Sequence, residues 1–263
     1  MDAVTPRFTY DEGMSLRQQR VAMTPDMVAQ RVRVRDAIAL EAGERVLEVG
    51  CGNGLLADEM ADEVGLTGHV TGVDISDSMI ALARAHCGSR PGIHFATANA
   101  DRLPFEDASF DVAVTVQCMC FVPDVQKAMS EMFRVLRPGG RLVILETDWD
   151  SLVWNSSDPV LMNKMMAIYK SVYQDFKLPR TLTRLLRGAG FFVKSREQFV
   201  ILNWHFDLDS YSGHQIIFTS AVAEGSVSPD QILAWSESIQ SVAQQDAYFF
   251  GLNRTIFCAV KPE

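Results

Sequence analysis

Arg45-Val46-Leu47-Glu48-Val49-Gly50-Cys51-Gly52-Asn53-Gly54 is the stretch that decides the fold of this 263-residue chain. Val46 to Val49 read as a buried strand with one acid, Glu48, among apolar neighbours. Glycines follow at every second position, and Leu55-Leu56-Ala57-Asp58-Glu59-Met60 then reads as a helix. Strand, glycine turn and helix in that order present bare backbone to a nucleotide-like ligand at the carboxyl edge of a parallel sheet.

Upstream, residues 1–23 are polar and irregular, and Thr24-Pro25-Asp26 is a helix start with a cap hydroxyl, a proline at the first helical position and an acid in the first turn. That helix is expected to run to about residue 40, with Gly43 as its stop. Downstream, strands are expected at 69–73, 93–97, 110–116 and 141–146. Between them lie a helix capped by Ser76 and ended by Gly88, and a helix over 124–136 that Pro138-Gly139-Gly140 breaks. Each strand is apolar over its full length, which is the pattern of a parallel sheet covered on both faces. Right-handed crossovers then make it doubly wound.

After Glu146 the pattern changes. Methionines and aromatics recur at helical spacing around 160–176, and Leu178-Pro179-Arg180 starts a helix ended by Gly188 and Gly190. A strand is expected at 191–200, two helical segments near 215–224 and 228–245, and a last apolar strand at 255–260. The expected fold class is α/β: a doubly wound, Rossmann-like sheet of seven strands, mostly parallel with an antiparallel last strand, helices on both faces and helical cap insertions. The chain, 1–263, reads as one domain. It divides into an N-terminal lid and helix over 1–42, a cofactor-binding core over 43–147, and a substrate-side half over 148–263 with insertions at 149–178 and 205–250.

Composition narrows the partners. A hydrophobic fraction of 48% with 22% charged residues is that of a globular domain, and a net charge of −9 argues against a phosphate-backbone groove, so no nucleic-acid partner is expected. No apolar run approaches the roughly 20 residues that span a bilayer, and Met1-Asp2-Ala3-Val4-Thr5-Pro6 carries neither a basic nor an apolar leader pattern. Neither a membrane span nor a signal peptide is expected. The five cysteines are odd in number and scattered, as reduced thiols of a cytoplasmic protein are. Cys118-Met119-Cys120 lacks the two-residue gap of a metal or redox motif, so no metal is expected.

Asp74 stands twenty residues after Gly54, where an acid accepts both hydroxyls of a ribose. A nicotinamide-dependent oxidoreductase uses the same acid, so the glycines must discriminate. The dinucleotide pattern places its third glycine at position 55, which here is Leu55. Glu48 would also repel a pyrophosphate, and it suits a ligand with a positive amino or sulfonium group.

With Glu48 and the glycines in place, the chain resembles the class I S-adenosylmethionine-dependent methyltransferases, and within them the small-molecule subgroup of ubiquinone and menaquinone biosynthesis. Val46 to Gly54 resembles their first motif, and Val73-Asp74-Ile75-Ser76 with Met79 the second. Asn99-Ala100-Asp101-Arg102-Leu103-Pro104-Phe105 followed by Ser109-Phe110-Asp111-Val112 resembles the third, and Arg134-Val135-Leu136-Arg137-Pro138-Gly139-Gly140 the entry to strand five. The resemblance implies S-adenosyl-L-methionine as cofactor and S-adenosyl-L-homocysteine as product. It implies that Glu48 and the backbone of Gly50, Cys51 and Gly52 hold the methionine end, and that Asp74 holds the ribose. Ile75 and Met79 would pack on adenine, with Asn99 and the Ala100 N–H at its edge. The family usually has an acid where this chain has Asn99, whose amide oxygen still accepts a hydrogen bond. Gln117 would face the methionine amino group or the methyl.

Methyl transfer from a sulfonium is an in-line displacement that rests mainly on positioning, so a base is needed only if the acceptor must lose a proton. Candidates for a base are His205 and His214 in the later insertion and Asp148 just past strand five. Tyr10, Trp149, Trp154, Tyr169 and Trp204 are the candidate acceptor-binding residues, from an aromatic and methionine-rich stock that suits a small, largely apolar or aromatic metabolite. The readings that compete with methyl transfer are a nucleotide-dependent oxidoreductase and a non-catalytic protein that keeps the cofactor fold.

Overall fold

The computed structural model describes residues 19–263. Its centre is one sheet of eight strands in the order β3-β2-β1-β4-β5-β8, with β7 and β6 both paired to β8. The strands are β1 (Arg45–Val49), β2 (His69–Asp74), β3 (Ile93–Thr97), β4 (Phe110–Val116), β5 (Leu136–Thr147), β6 (Val153–Trp154), β7 (Phe192–Asn203) and β8 (Phe250–Val260). The pairings among β1 to β5 are parallel, and β8 runs antiparallel to β5 and to β7. The architecture is thus the expected one with an eighth strand added. β6 is two residues long, pairs with Phe250 and Gly251, and continues the line of β5 along the same edge of β8. Two residues carry no period, so sequence pattern alone could not announce it.

The helices are α1 (Pro25–Ile38), α2 (Leu55–Val64), α3 (Asp77–Cys87), α4 (Val125–Val135), α5 (Pro159–Lys170), α6 (Pro179–Gly188), α7 (Tyr211–Ala223) and α8 (Pro229–Ala243). None is long and apolar enough to cross a membrane among the described residues. Val34, Ile38, Leu56 and Met60 of α1 and α2 pack with Val46, Val70 and Val112 on one sheet face. Met129, Met132, Leu182 and Leu186 of α4 and α6 pack with Leu47, Val49 and Ala113 on the other. A parallel sheet buried on both faces needs both layers, which is why β1 alternates nowhere in polarity except at Glu48.

Two of the boundaries that differ from the sequence reading have a local cause. α1 stops at Ile38, because Ala39 turns left-handed and Arg141 takes the free carbonyls of Ile38 and Ala39 at 2.7 and 2.8 Å. β5 begins at Leu136, ahead of Pro138, because a register shift opposite Phe110 and Val112 absorbs the Arg137–Gly140 turn within the strand.

α5, α7 and α8 form the cap over the far end of the sheet. Ser210 caps α7 by accepting the Gly213 N–H, so this helix starts earlier than expected, and Ser228 with Gln231 makes a capping box on α8. Trp235 is fully buried between them, with its indole N–H directed at Met162 Sδ at 3.4 Å.

Candidate functional site

β1, β2 and β4 all end at the same edge of the sheet, and parallel order brings their following turns together. Gly50, Gly52 and Gly54 each have positive φ (78°, 51° and 79°). Their alternation with residues of ordinary φ folds the turn back on β2, so that the N–H groups of Gly50 and Cys51 both donate to Val73 O, at 2.7 and 3.0 Å. A Cβ at Gly50 would lie 2.4 Å from Cys118 Sγ, whereas a Cβ at Gly52 would meet nothing within 4 Å. Gly50 is therefore glycine because the chain packs against it. Gly52 faces open space.

Two acids stand close to one another by this turn. Asp74 accepts from Gly52 N at 3.0 Å through one oxygen and from Ser76 N at 2.9 Å through the other. Burial holds its carboxyl above the ordinary value, against the N–H groups of Ser76, Gly52 and Ile75. Glu48 is 3% exposed, and its Oε2 has no hydrogen-bond partner. Burial first, then the Asp74 and Glu59 carboxylates, hold Glu48 well above the usual carboxylate range. Among the described residues neither acid is ion-paired. A buried and a half-buried acid with no cation between them form a site that gains energy from a positively charged ligand.

The remaining cofactor candidates stand around this pair. Ile75 is exposed at the rim and Met79 is buried in the first turn of α3. Ala98 N donates to Asp74 O at 3.0 Å, which fixes the Asn99–Ala100 turn beside the acid. Asn99 Oδ1 accepts from Asp101 N at 3.2 Å, so one lone pair serves the turn and the rest of the amide faces outward. Gln117, just past β4, is left-handed (φ 54°); its Oε1 accepts from Thr147 Oγ1 at 2.6 Å and its buried Nε2 has no partner.

The acceptor-side candidates separate. Trp149 is buried, stacked on Tyr173 at 4.5 Å between centroids, with Tyr169 edge-on at 5.5 Å. Trp154 is instead a packing residue, locked edge-on between Trp235 and Phe250. Trp204 is 61% exposed and rests on Phe249, so it walls no enclosed site. Asp148 is paired with Arg180 at 2.8 Å and caps the short turn at Trp149–Ser151, which takes it out of the role of a free base. His205 is exposed in the loop before α7, and His214 is buried in the first turn of α7, next to Gln215. Tyr10 lies outside the described residues.

Sequence reading missed two buried groups. Glu146, near the end of β5, sits beneath the turn that follows Gln117 and accepts the N–H groups of Cys118 and Met119 at 3.1 and 2.7 Å. Burial pushes its carboxyl up to about 7. It carries the same signal as Glu48, an acid ending an apolar strand, and could have been found by it. Arg254 is 1% exposed on β8, paired in register with Thr147, and nothing in its local sequence marks it.

Residues 47–144 match the family model described as a methyltransferase domain. Over 114 residues the chain is 41% identical to the ubiquinone/menaquinone biosynthesis C-methyltransferase UbiE of Vibrio vulnificus, covering 42% of this chain and 44% of that protein. Over 166 residues it is 32% identical to the demethylmenaquinone methyltransferase of Lactococcus lactis, covering 57% and 66%. The matched part thus spans less than half the length of the first curated relatives. Among solved structures, Haemonchus contortus phosphoethanolamine N-methyltransferase 2, in complex with S-adenosyl-L-methionine, superposes with a TM-score of 0.64 at 21% identity, covering 99% of this chain and 61% of that one.

Proposed function

We propose that this chain, which belongs to the class I S-adenosylmethionine-dependent methyltransferases, moves a methyl group from that cofactor to a small, largely apolar or aromatic metabolite. The observation that carries the reading is the pair of mutually repelling acids, Glu48 buried and Asp74 half-buried on the Gly52 N–H, neither with a basic partner among the described residues. When bound, the cofactor supplies a methyl group already activated on a sulfonium.

The chain's own residues supply position and charge. Glu48 and the Gly50–Gly52 backbone hold the methionine end, and Asp74 receives the ribose hydroxyls on the lone pairs that Gly52 and Ser76 leave free. Ile75, Met79, Asn99 and Ala100 border the adenine. Gln117 presents its unpartnered Nε2 where the sheet edge meets the cap. Trp149 and Tyr169, set edge-on to one another, border the acceptor. Residues 43–147 act as the cofactor half and 148–263 as the acceptor half.

The names of the quinone-biosynthesis relatives support carbon as the acceptor atom to try first. The test is calorimetric titration with S-adenosylmethionine and S-adenosylhomocysteine, beside Asp74→Ala. Micromolar binding that collapses in the variant supports the reading and justifies an acceptor screen. A folded wild-type protein that binds neither compound sinks it.

A further inference from the structure

Arg254 is a buried cation without an anionic partner among the described residues. Its Nε donates to Thr147 Oγ1 at 3.0 Å, its Nη1 contacts Gln30 Oε1 and Met27 Sδ, and its Nη2 donates to Tyr211 Oη at 2.6 Å. The guanidinium also lies over the Tyr211 ring, 4.7 Å from its centroid. Every partner is neutral, and none of the ion pairs among the described residues includes Arg254. Neutral dipoles satisfy hydrogen bonds but only partly offset the desolvation of a full charge, which costs several kcal/mol when unpaired.

The surroundings repeat the imbalance. Thr147 passes the contact on, donating to Gln117 Oε1, and Gln117 Nε2 is a buried donor with no acceptor among the described residues. Tyr211 accepts from Arg254, which leaves its own hydroxyl hydrogen to be given elsewhere. Among the described residues Arg254 thus has no anionic partner and Gln117 Nε2 no acceptor, and an anionic oxygen is what completes such donors. Arg254 is near enough to act electrostatically on Tyr169, whose ring packs with those of Trp149 and Tyr173.

We infer that the methyl acceptor carries an anionic oxygen, a carboxylate or a phenolate on an aromatic frame, and that Arg254 binds it with Gln117 and Tyr211 as the neighbouring donors. This rests on the methyltransferase reading for the word acceptor, but the anion site itself does not. Arg254 is a binding residue here. It holds the oxygen while Gln117 joins the same interior to the cofactor side, so an acid is oriented with its ring along the aromatic wall.

The probe is benzoate against its neutral isostere benzamide, titrated into wild type, Arg254→Met and Arg254→Gln, each with and without S-adenosylhomocysteine. Wild type is expected to bind benzoate at least tenfold tighter than benzamide and to melt higher in its presence. Both variants are expected to lose that preference while binding S-adenosylhomocysteine as wild type does. Arg254→Gln keeps polar contacts with Thr147 or Gln30 and serves if Arg254→Met does not fold. Equal binding of the two probes by wild type overturns the inference, and so does a preference that survives in a folded variant. Discrimination without any S-adenosylhomocysteine binding would keep the anion site and reject the methyltransferase reading.

Discussion

Gly52 and Asp74 are joined directly: the glycine N–H donates to Asp74 Oδ2 at 3.0 Å, across the gap between the turns that end β1 and β2. The carboxylate therefore orders the glycine turn before any ligand arrives. Replacing Asp74 by alanine removes the proposed ribose acceptor and loosens the turn together. Asp74→Asn keeps one acceptor oxygen and is expected to fold more like wild type. Both should weaken S-adenosylmethionine binding by at least about tenfold, roughly the worth of one charge-assisted hydrogen bond. Paired calorimetry and thermal melts of the two variants check this.

Protonation should act on the same pair. Asp74 and Glu48 both have carboxyls held above their ordinary values by burial. They must be ionised to attract a cationic ligand. Affinity for S-adenosylmethionine should therefore be full above the raised values and fall as pH drops through them. Affinity for S-adenosylhomocysteine, which lacks the sulfonium charge, should fall less. Titrations of both compounds across that range decide it, and identical pH profiles would contradict it.

Gly50 and Gly52 should fail differently when changed to alanine. At Gly50 the new methyl would sit 2.4 Å from Cys118 Sγ at φ 78°, so the turn must move. A loss of about 2–4 kcal/mol of stability is expected from overpacking plus left-handed strain. At Gly52 the methyl enters open space at φ 51°, so only the strain of about 1–2 kcal/mol applies, yet it stands where the ligand would lie. Denaturant melts should separate the two. Cofactor binding should be lost in Gly52→Ala while its fold is retained.

Glu146 predicts a pH-dependent stability. Its carboxyl is raised from an ordinary 4.5 to about 7, so its contribution is fully present below the unfolded value and lost as pH rises through the folded one. Glu146→Gln imitates the protonated form and does not titrate. Relative to wild type it should gain up to about 3 kcal/mol between about pH 5 and about pH 8, at about 1.4 kcal/mol per unit. Urea melts at both ends measure the gap, and a constant gap would count against it.

The Arg141–Glu44 pair works with the opposite sign. The guanidinium holds both carboxylate oxygens, at 2.6 and 2.7 Å, while also closing the end of α1. Against its burial, the hydrogen bonds from Arg141 and the Glu41 N–H keep Glu44 below its ordinary value. Its contribution is present above the unfolded value and is lost as pH falls through the folded one. Glu44→Gln should lower stability by about 1–3 kcal/mol at neutral pH, a charge-assisted bidentate contact, and this deficit should shrink in acid. Melting temperatures of the variant and wild type across the acid range test it.

Sequence alone determined the order of strands and helices, the glycine turn and the acid at the end of β2, because each is written in contiguous residues whose spacing obeys one period or one φ requirement. It could not place β6, whose two residues have no period of their own, nor decide that Trp154 packs, Trp204 is exposed and Asp148 is spent on Arg180. Only the tertiary structure decided the electrostatics around Arg254. Gln30, Thr147, Tyr211 and Arg254 lie on four separate elements, and among the described residues the fold gives Arg254 only neutral partners. Whether a charge is paired depends on what surrounds it in three dimensions, and that is set by residues far apart in the chain.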